Sequence, residues 1–348
     1  MKLSNKEKEF TPIYQVFSFT FPKQQTEDIN NAWSELQGLN PLLTSKIEDT
    51  LTNQNKSEPT YINEDSHKYA QLNLSDKMAV LYVHQQETTT QLTFCANHCI
   101  FDLYTQVTMY NQFYSLLKHQ KVEQTFSHSS LSNFDLQVSE EKFEKTKFDV
   151  FSFEEGAVFP NKTASTKVGK EIKMKIIKAA KQLNVKVYSL LAAIFIQTLQ
   201  KFSKTKAENI TILCPFSQRN NLKITDFGLL VEIIPIQLHF SENLQEMALK
   251  INRQFENTSK NAPTFAQLRG EKEILFGSCV FSYGSQDVNL QIPAQNIQIS
   301  SQFKFEVRQF PMMTVFNVGE DLVFNADFEG PISGEVVKGV LQEMVQRV

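Results

Sequence analysis

The sequence CANHCIFD, residues 95–102, ends an apolar strand, passes through a short loop and begins a helix near Asp102. Of the 6 histidines in the chain, only His98 lies in such a setting. The ends of strands are where a rigid scaffold tends to present functional side chains. The position of His98 therefore makes it the candidate catalytic residue.

Three interpretations of His98 are compatible with its neighbours. A neutral imidazole titrates near physiological pH, so His98 can act as a general base that takes a proton from a hydroxyl or an amine. Alternatively, His98 is structural and Asp102 only caps the following helix. A third interpretation groups Cys95, His98 and Cys99 as soft metal ligands, but a closed zinc site needs four ligands and the other two cysteines stand isolated. We therefore expect no metal, and a Cys99 nucleophile is a minor alternative to the base.

Strand and helix patterns alternate on the N-terminal side of this stretch. Phe17, Phe19 and Phe21 alternate with polar residues, which predicts a strand with one buried face. Apolar residues at helical spacing predict one helix that ends near Leu39 and another between Val107 and Leu117. The chain contains 29 Phe and 1 Trp, and this alternation assigns the phenylalanines to core packing rather than to a cofactor site.

The pattern fails between His119 and Gly169, where Ser, Lys, Glu, Asn and Thr dominate. Loops of this length are uncommon inside a compact domain unless they connect lobes or cover a site. We therefore predict an N-terminal lobe at 1–140 that carries the histidine motif, a linker at 141–169 and a C-terminal lobe at 170–348.

The C-terminal lobe begins with two predicted helices, at 171–183 and 187–202, and the second is apolar nearly all round. Strand-like runs follow, and an amphipathic helix ends the chain. Both halves mix strands and helices, so the predicted fold class is α/β with two mixed-sheet lobes.

Composition limits the classes of partner. The 348 residues carry 35 Lys+Arg and 38 Asp+Glu, a net charge of −3, which predicts no binding to nucleic acid or to an anionic membrane. The main apolar stretch, Leu190–Ile196, is much shorter than the roughly 20 residues that cross a membrane, so no membrane-spanning helix is expected. An N-terminus without an apolar signal region and a content of 4 cysteines lead us to expect a cytoplasmic protein. Phosphate-cradling glycine loops and the serine-hydrolase elbow are absent from the sequence.

Several short segments resemble one family. NHCIFD, residues 97–102, resembles the HHxxxDG motif of the chloramphenicol-acetyltransferase-like superfamily, and is most similar to that of nonribosomal peptide synthetase condensation domains and stand-alone alcohol acyltransferases. NPLL at 40–43 is similar to the family's HPxLR corner, CPFSQR at 214–219 resembles xPVxGR, and GLLVEIIP at 228–235 matches the spacing of GxFVNTLP. The resemblance implies two chloramphenicol-acetyltransferase-like mixed-sheet lobes packed as a pseudo-dimer, with a tunnel between them.

The resemblance also implies a role for individual residues. His98 matches the family's catalytic histidine, which deprotonates or orients the acceptor. Asp102 matches the structural aspartate of the motif, and Arg219 matches the arginine that forms a salt bridge with it. Asn97 stands in place of the first histidine and is a candidate oxyanion or substrate contact. The sequence departs from the family at Leu103, which replaces a glycine, and at Glu232, which replaces an asparagine, and it is shorter than a typical condensation domain.

The activity implied is that of an HxxxD-type acyltransferase. An acyl group moves from a thioester, on coenzyme A or on a phosphopantetheine carrier protein, to the hydroxyl or amine of a small-molecule acceptor. No cofactor is bound permanently, and an acyl or peptidyl carrier protein is an expected partner. Because a motif in the first half needs the second half of the same chain to complete the tunnel, a monomer is expected. The alternatives are a non-catalytic binding or docking protein with the same fold, suggested by the departures from the motif, and an enzyme of cyclisation or dehydration.

Overall fold

The computed structural model describes residues 13–46, 52–53, 55–122, 148–156, 162–217, 229, 231–258, 277–287, 295–303 and 309–348. The chain divides into two compact units.

The first unit contains a five-stranded mixed sheet. In chain order its elements are β1 (Ile13–Pro22), α1 (Thr26–Leu39), a 3₁₀ turn (Pro41–Thr44), β2 (Ser45–Lys46), β3 (Thr52–Asn53), β4 (Thr60–Ile62), α2 (Ser66–Leu72), β5 (Ala79–Gln85), β6 (Thr89–Asn97), a second 3₁₀ turn (His98–Ile100), α3 (Leu103–Leu117) and, from late in the chain, β11 (Gln295–Phe303). The strand order is β11-β1-β6-β5-β4, in which only β4 and β5 pair in parallel. β2 and β3 pair antiparallel in a separate two-stranded sheet.

Helices pack against both faces of this sheet, whereas the alternation in β1 predicts only one buried face. Phe17 and Phe19 lie against Tyr110 of α3, with ring centroids 4.2 and 4.7 Å apart. On the opposite face, Tyr14 and Val16 pack in a cluster with residues of α2 and β5. The predicted burial of Phe17, Phe19 and Phe21 is confirmed, since none of the three is more than 3% exposed.

The second unit contains a six-stranded mixed sheet. Its elements are β7 (Lys162–Val168), α4 (Lys170–Gln182), α5 (Val187–Phe202), β8 (Asn209–Ser217), β9 (Val231–His239), α6 (Leu244–Thr258), β10 (Cys279–Asp287), β12 (Phe310–Val318), β13 (Asp321–Glu329) and α7 (Gly334–Arg347). The strand order is β7-β13-β12-β10-β8-β9, and β10 pairs in parallel with both of its neighbours.

Helix α5 forms the centre of this unit's core. Its residues from Tyr188 to Ile196 are all buried, as the nearly continuous apolar sequence predicts. Within the ranges described above, no helix alone is long and apolar enough to cross a membrane. Helices α4 and α5, bent by 99° at their junction, pass that test only as a pair, on length and composition.

The fold class is confirmed, since both units combine helices with a mixed sheet. The boundaries of the units differ from the predicted ones in two places. β7, within the predicted linker at 141–169, pairs along its length with β13, and β11, within the predicted C-terminal lobe at 170–348, pairs with β1 in the first sheet. Strand pairing joins residues far apart in sequence, so the order of elements along the chain does not reveal it.

Candidate active site

The candidate site lies at the end of β6, a strand with a neighbour on each side. Asn97, the last residue of β6, pairs with Tyr14 of β1, and its backbone N–H donates to the carbonyl of Met78 at 2.7 Å. These contacts fix the point at which the chain leaves the sheet and enters the turn that carries His98.

The Asn97 side chain caps that turn. It is fully buried, and its Oδ1 accepts a hydrogen bond from the backbone N–H of Cys99 at 3.0 Å. The backbone N–H of Phe101 closes the turn on the carbonyl of His98 at 3.3 Å. Asparagine is well suited to this position, because its short side chain reaches the first unpaired N–H groups of a helical turn. The amide oxygen of Asn97 therefore has a structural use, and the oxyanion or substrate contact assigned to this residue stays a prediction.

Asp102 begins the next helix. Its Oδ1 accepts from the backbone N–H of Thr105 at 2.9 Å, so the side chain caps α3, and the whole residue is only 2% exposed. Capping and the positive end of the helix dipole both favour a carboxylate here. The turn that carries His98 is thus capped at its start by Asn97 and is followed directly by a helix that Asp102 caps.

The imidazole of His98 is oriented by a backbone group of the same turn. Its Nδ1 lies 2.7 Å from the carbonyl oxygen of Phe101. Because a carbonyl oxygen only accepts, Nδ1 carries the proton in this contact, and Nε2 of the neutral ring carries the lone pair. The geometry therefore selects the tautomer in which Nε2 can accept a proton.

The surroundings of His98 also keep the ring neutral. Asn97, Cys99 and Ile100 are buried, whereas His98 itself is partly exposed. Burial lowers the pKa of His98 from its usual value of 6.5, while hydrogen bonds to the backbone of His98 and Phe101 and the charge of Asp102 act against that shift. Since burial has the largest effect, the net shift of the pKa is downward and the ring is neutral near neutral pH.

Arg219, the residue that the resemblance pairs with Asp102, lies outside the described residues. The preceding residues Cys214–Pro215–Phe216 are part of β8, which ends at Ser217. The ion pair between Asp102 and Arg219 therefore stays a prediction. The side chain of Glu232, which replaces the family's asparagine, is also outside the described part of the structure.

The cysteines have the character of core residues. Cys95 and Cys99 are fully buried, as are Cys214 and Cys279. Burial raises the pKa of Cys214 to about 12, and it raises the pKa of Cys279 well above the usual value of 9.0. Among the residues that the structure describes, no group of three or more His, Cys, Asp or Glu side chains is arranged to hold a metal ion.

The carbonyl of Phe101 is the part of the site that sequence reasoning missed. The sequence pointed to Asp102 as the support of the motif, yet the atom that contacts the ring belongs to the backbone of the preceding residue. Every residue has such a carbonyl, so no side-chain signal in the sequence could have singled it out.

Comparison of the fold with solved structures finds similar proteins over nearly the whole chain. Polyketide synthase associated protein 5 from Mycobacterium tuberculosis is 14% identical, with a TM-score of 0.73 over 99% of this chain and 97% of that one. The first condensation domain of the CDA synthetase is 12% identical, with a TM-score of 0.70 over 99% and 94%. The starter condensation domain of rhizomide synthetase, solved with C8-CoA and Leu-SNAC, is 11% identical, with a TM-score of 0.68 over 99% and 92%.

Sequence comparison adds nothing to these likenesses: no protein-family model matches the chain, and neither does any curated protein. The structural likenesses extend over both units, and they agree with the motif resemblance at residues 97–102. We conclude that this chain has the chloramphenicol-acetyltransferase-like fold of the condensation domains.

Proposed function

We propose that the chain is an acyltransferase in which His98 is the general base. The observation that carries the proposal is the contact between Nδ1 of His98 and the carbonyl oxygen of Phe101 at 2.7 Å. A ring held in this tautomer, with its pKa lowered by burial, has the protonation state that a general base needs at neutral pH. The condensation-domain fold supports acyl transfer as the class of reaction.

In the proposed reaction, Nε2 of His98 carries one proton from the acceptor to the leaving group. The acceptor hydroxyl or amine gives its proton to Nε2 as its oxygen or nitrogen attacks the thioester carbonyl, and a tetrahedral oxyanion forms. When the intermediate collapses, the carbon–sulfur bond breaks and the leaving sulfur takes the proton from the imidazolium. A base in this role contributes typically about 10²–10⁴-fold to the rate, and holding both substrates together contributes more. No covalent acyl-enzyme is needed, and the buried, weakly acidic Cys214 and Cys279 have no part in the step.

The donor is a thioester of coenzyme A or of a carrier-protein phosphopantetheine arm, and the acceptor is a small molecule. One structural neighbour was solved with C8-CoA and Leu-SNAC, which supports coenzyme A as one donor handle. Because such an arm is long and narrow, the reaction requires a tunnel that leads to His98, as the resemblance implies. A carrier protein is thus a proposed partner, and the chain is proposed to act as a monomer in the cytoplasm.

Release of free thiol tests the proposal. The purified chain is incubated with acyl-coenzyme A donors of increasing chain length and with a panel of alcohols and amines, and thiol release is followed with a chromogenic disulfide. We expect acceptor-dependent release that His98→Ala slows by about 10²–10⁴-fold. His239→Ala is the matched control, because His239 is exposed at the end of β9 in the second unit, whereas His98 follows β6 in the first.

The second candidate is a non-catalytic docking protein with the same fold. Two observations favour it: the amide oxygen of Asn97 caps a turn, and Asp102 caps α3, so two of the three polar residues of the motif have uses that need no catalysis. Acyl-coenzyme A or acyl-carrier binding without turnover would select this candidate. The mass of any product separates transfer from cyclisation and dehydration.

A further inference from the structure

Helix α4 concentrates positive charge in one short segment. Its sequence, KEIKMKIIKAAKQ, has five lysines and one glutamate in 13 residues, a net charge of +4, whereas the net charge of the whole chain is −3. An overall charge balance hides such a segment, because the lysines are diluted by acidic residues elsewhere in the chain.

The two sides of α4 differ in chemistry. Ile176 and Ala180 are buried against the core of the second unit, where Ile172 and Ala179 also pack. The opposite side exposes Met174 by 54% and Ile177 by 39%, although both are large and apolar. These two residues are three apart and therefore neighbours on the helix surface.

Lysines surround the exposed apolar pair. At about 100° per residue, Lys170, Lys178 and Lys181 lie on the same side of the helix as Met174. Glu171 lies on this side as well and forms an ion pair with Lys175. Lys170 forms an ion pair with Glu320, but within the described part of the chain Lys178 and Lys181 form no ion pair. The outer face of α4 thus combines an apolar centre with a cationic rim that the protein itself neutralises only in part.

We propose that the outer face of α4 binds an anionic lipid bilayer from one side, with Met174 and Ile177 entering the headgroup region. Exposed apolar residues flanked by lysines are the composition of helices that lie in a membrane interface, and lysine stems extend so that their charges reach the lipid phosphates. This proposal does not depend on the proposed acyl transfer.

The size of the face favours a bilayer over an acidic protein. Thirteen helical residues extend about 20 Å. A stable protein interface usually needs about 800 Å² on each partner, with a well-packed apolar core. One helix face with two apolar residues is smaller than this. A fluid bilayer adapts its shape to the helix, so no matching groove is needed.

Vesicle sedimentation with the full-length chain tests the proposal. Vesicles of phosphatidylcholine alone are compared with vesicles that contain about 30% phosphatidylserine, at about 0.05 M and about 0.5 M NaCl. We expect binding to the anionic vesicles only, weakened by salt. Each lysine near the surface contributes roughly a fivefold increase in partition, so Lys178→Glu with Lys181→Glu should weaken binding by at least about 25-fold.

Two further variants complete the design. Met174→Gln with Ile177→Gln should weaken binding several-fold while the charge stays unchanged, and Lys68→Glu, at an exposed lysine of α2 in the other unit, should weaken it by less than about fivefold. Melting temperatures close to that of the wild type show that the variants fold, as exposed positions allow. Equal binding to both vesicle types, no binding to either, or full binding by the Lys178→Glu, Lys181→Glu variant would overturn the proposal. So would binding to polyglutamate without binding to vesicles, which would assign the face to an acidic protein.

Discussion

Nδ1 of His98 and the carbonyl oxygen of Phe101 lie 2.7 Å apart within a single turn of the chain. The contact is local, so it forms wherever this turn forms, and it fixes both the orientation and the tautomer of the ring. The 3₁₀ turn is itself held by the hydrogen bond from the side chain of Asn97 and by the pairing of β6 with β1 and β5. A 3₁₀ turn between a central strand and a capped helix is therefore enough to orient this ring.

Removal of the Asn97 cap should loosen the turn. Asn97→Ala removes the acceptor for the N–H of Cys99, which is then buried without that partner. We expect a loss of about 1–2 kcal/mol in the free energy of unfolding, measured with urea, because an N-cap contributes about that much. Asn97→Ser, which can still cap, should lose less; an equal loss in both variants would mean that the cap does not hold the turn.

One substitution, Asp102→Asn, distinguishes a helix cap from the predicted ion pair between Asp102 and Arg219. Asparagine caps a helix as well as aspartate does, so if Asp102 only caps α3, Asp102→Asn leaves stability nearly unchanged and Asp102→Ala costs about 1 kcal/mol. If a buried ion pair forms, Asp102→Asn costs about 3–5 kcal/mol, because the charge of the arginine loses its partner.

We predict the larger cost, since a carboxylate that is only 2% exposed calls for a countercharge. A double-mutant cycle with Arg219→Gln measures the pair directly and should be strongly non-additive. Additive losses in urea denaturation would show that the two residues do not interact.

The free energy of unfolding should decrease as the pH is lowered, because His67 in α2 is buried, with only 4% of the residue exposed. The side-chain amide of Gln71 donates to its Nε2 at 2.6 Å, and its Nδ1 has no hydrogen-bond partner among the described residues. Burial lowers the pKa of His67 to about 4 in the folded protein, compared with about 6.5 in an unfolded chain. Between these values the unfolded state binds more protons, so stability is lost as the pH falls from about 6.5 to about 4.

The loss attributable to His67 should be about 3 kcal/mol, and His67→Gln should abolish it because glutamine does not titrate. Urea denaturation of both proteins at several pH values measures the difference, which cancels the contributions of other groups. The same acid dependence in wild type and variant would contradict the assignment.

The pH–rate profile should reflect the lowered pKa of His98. Because only the neutral ring accepts a proton, the rate should stay high as the pH falls and should decline only below the ordinary histidine value of about 6.5. Steady-state thiol release over a range of pH measures this limb. A limb that lies above about 6.5 would indicate that burial does not control the ring.

Local patterns predicted much of this structure. The alternation of Phe17, Phe19 and Phe21 identified a strand and one of its buried faces, although the opposite face is buried as well. Helical spacing placed two helices within one residue of α4 and α5. Both signals depend on neighbours in sequence, which is why they can be read from the chain. The motif resemblance pointed to the fold, which the structural comparisons confirm.

Other features could not be predicted because they depend on distant or backbone groups. The place of β11 beside β1 joins residues nearly 300 positions apart, and no local pattern encodes that pairing. The partner of the His98 ring is a carbonyl, which every residue possesses. The net charge of the whole chain does not reveal the basic face of α4, and the exposure of Met174 depends on which side of the helix packs against the core.

The most direct test of the central claim is thiol release from an acyl-coenzyme A panel by wild type, His98→Ala and His239→Ala, all with equal melting temperatures. We predict acceptor-dependent release by the wild type and by His239→Ala, and a rate about 10²–10⁴-fold lower for His98→Ala. Release by His98→Ala at the wild-type rate would contradict the account.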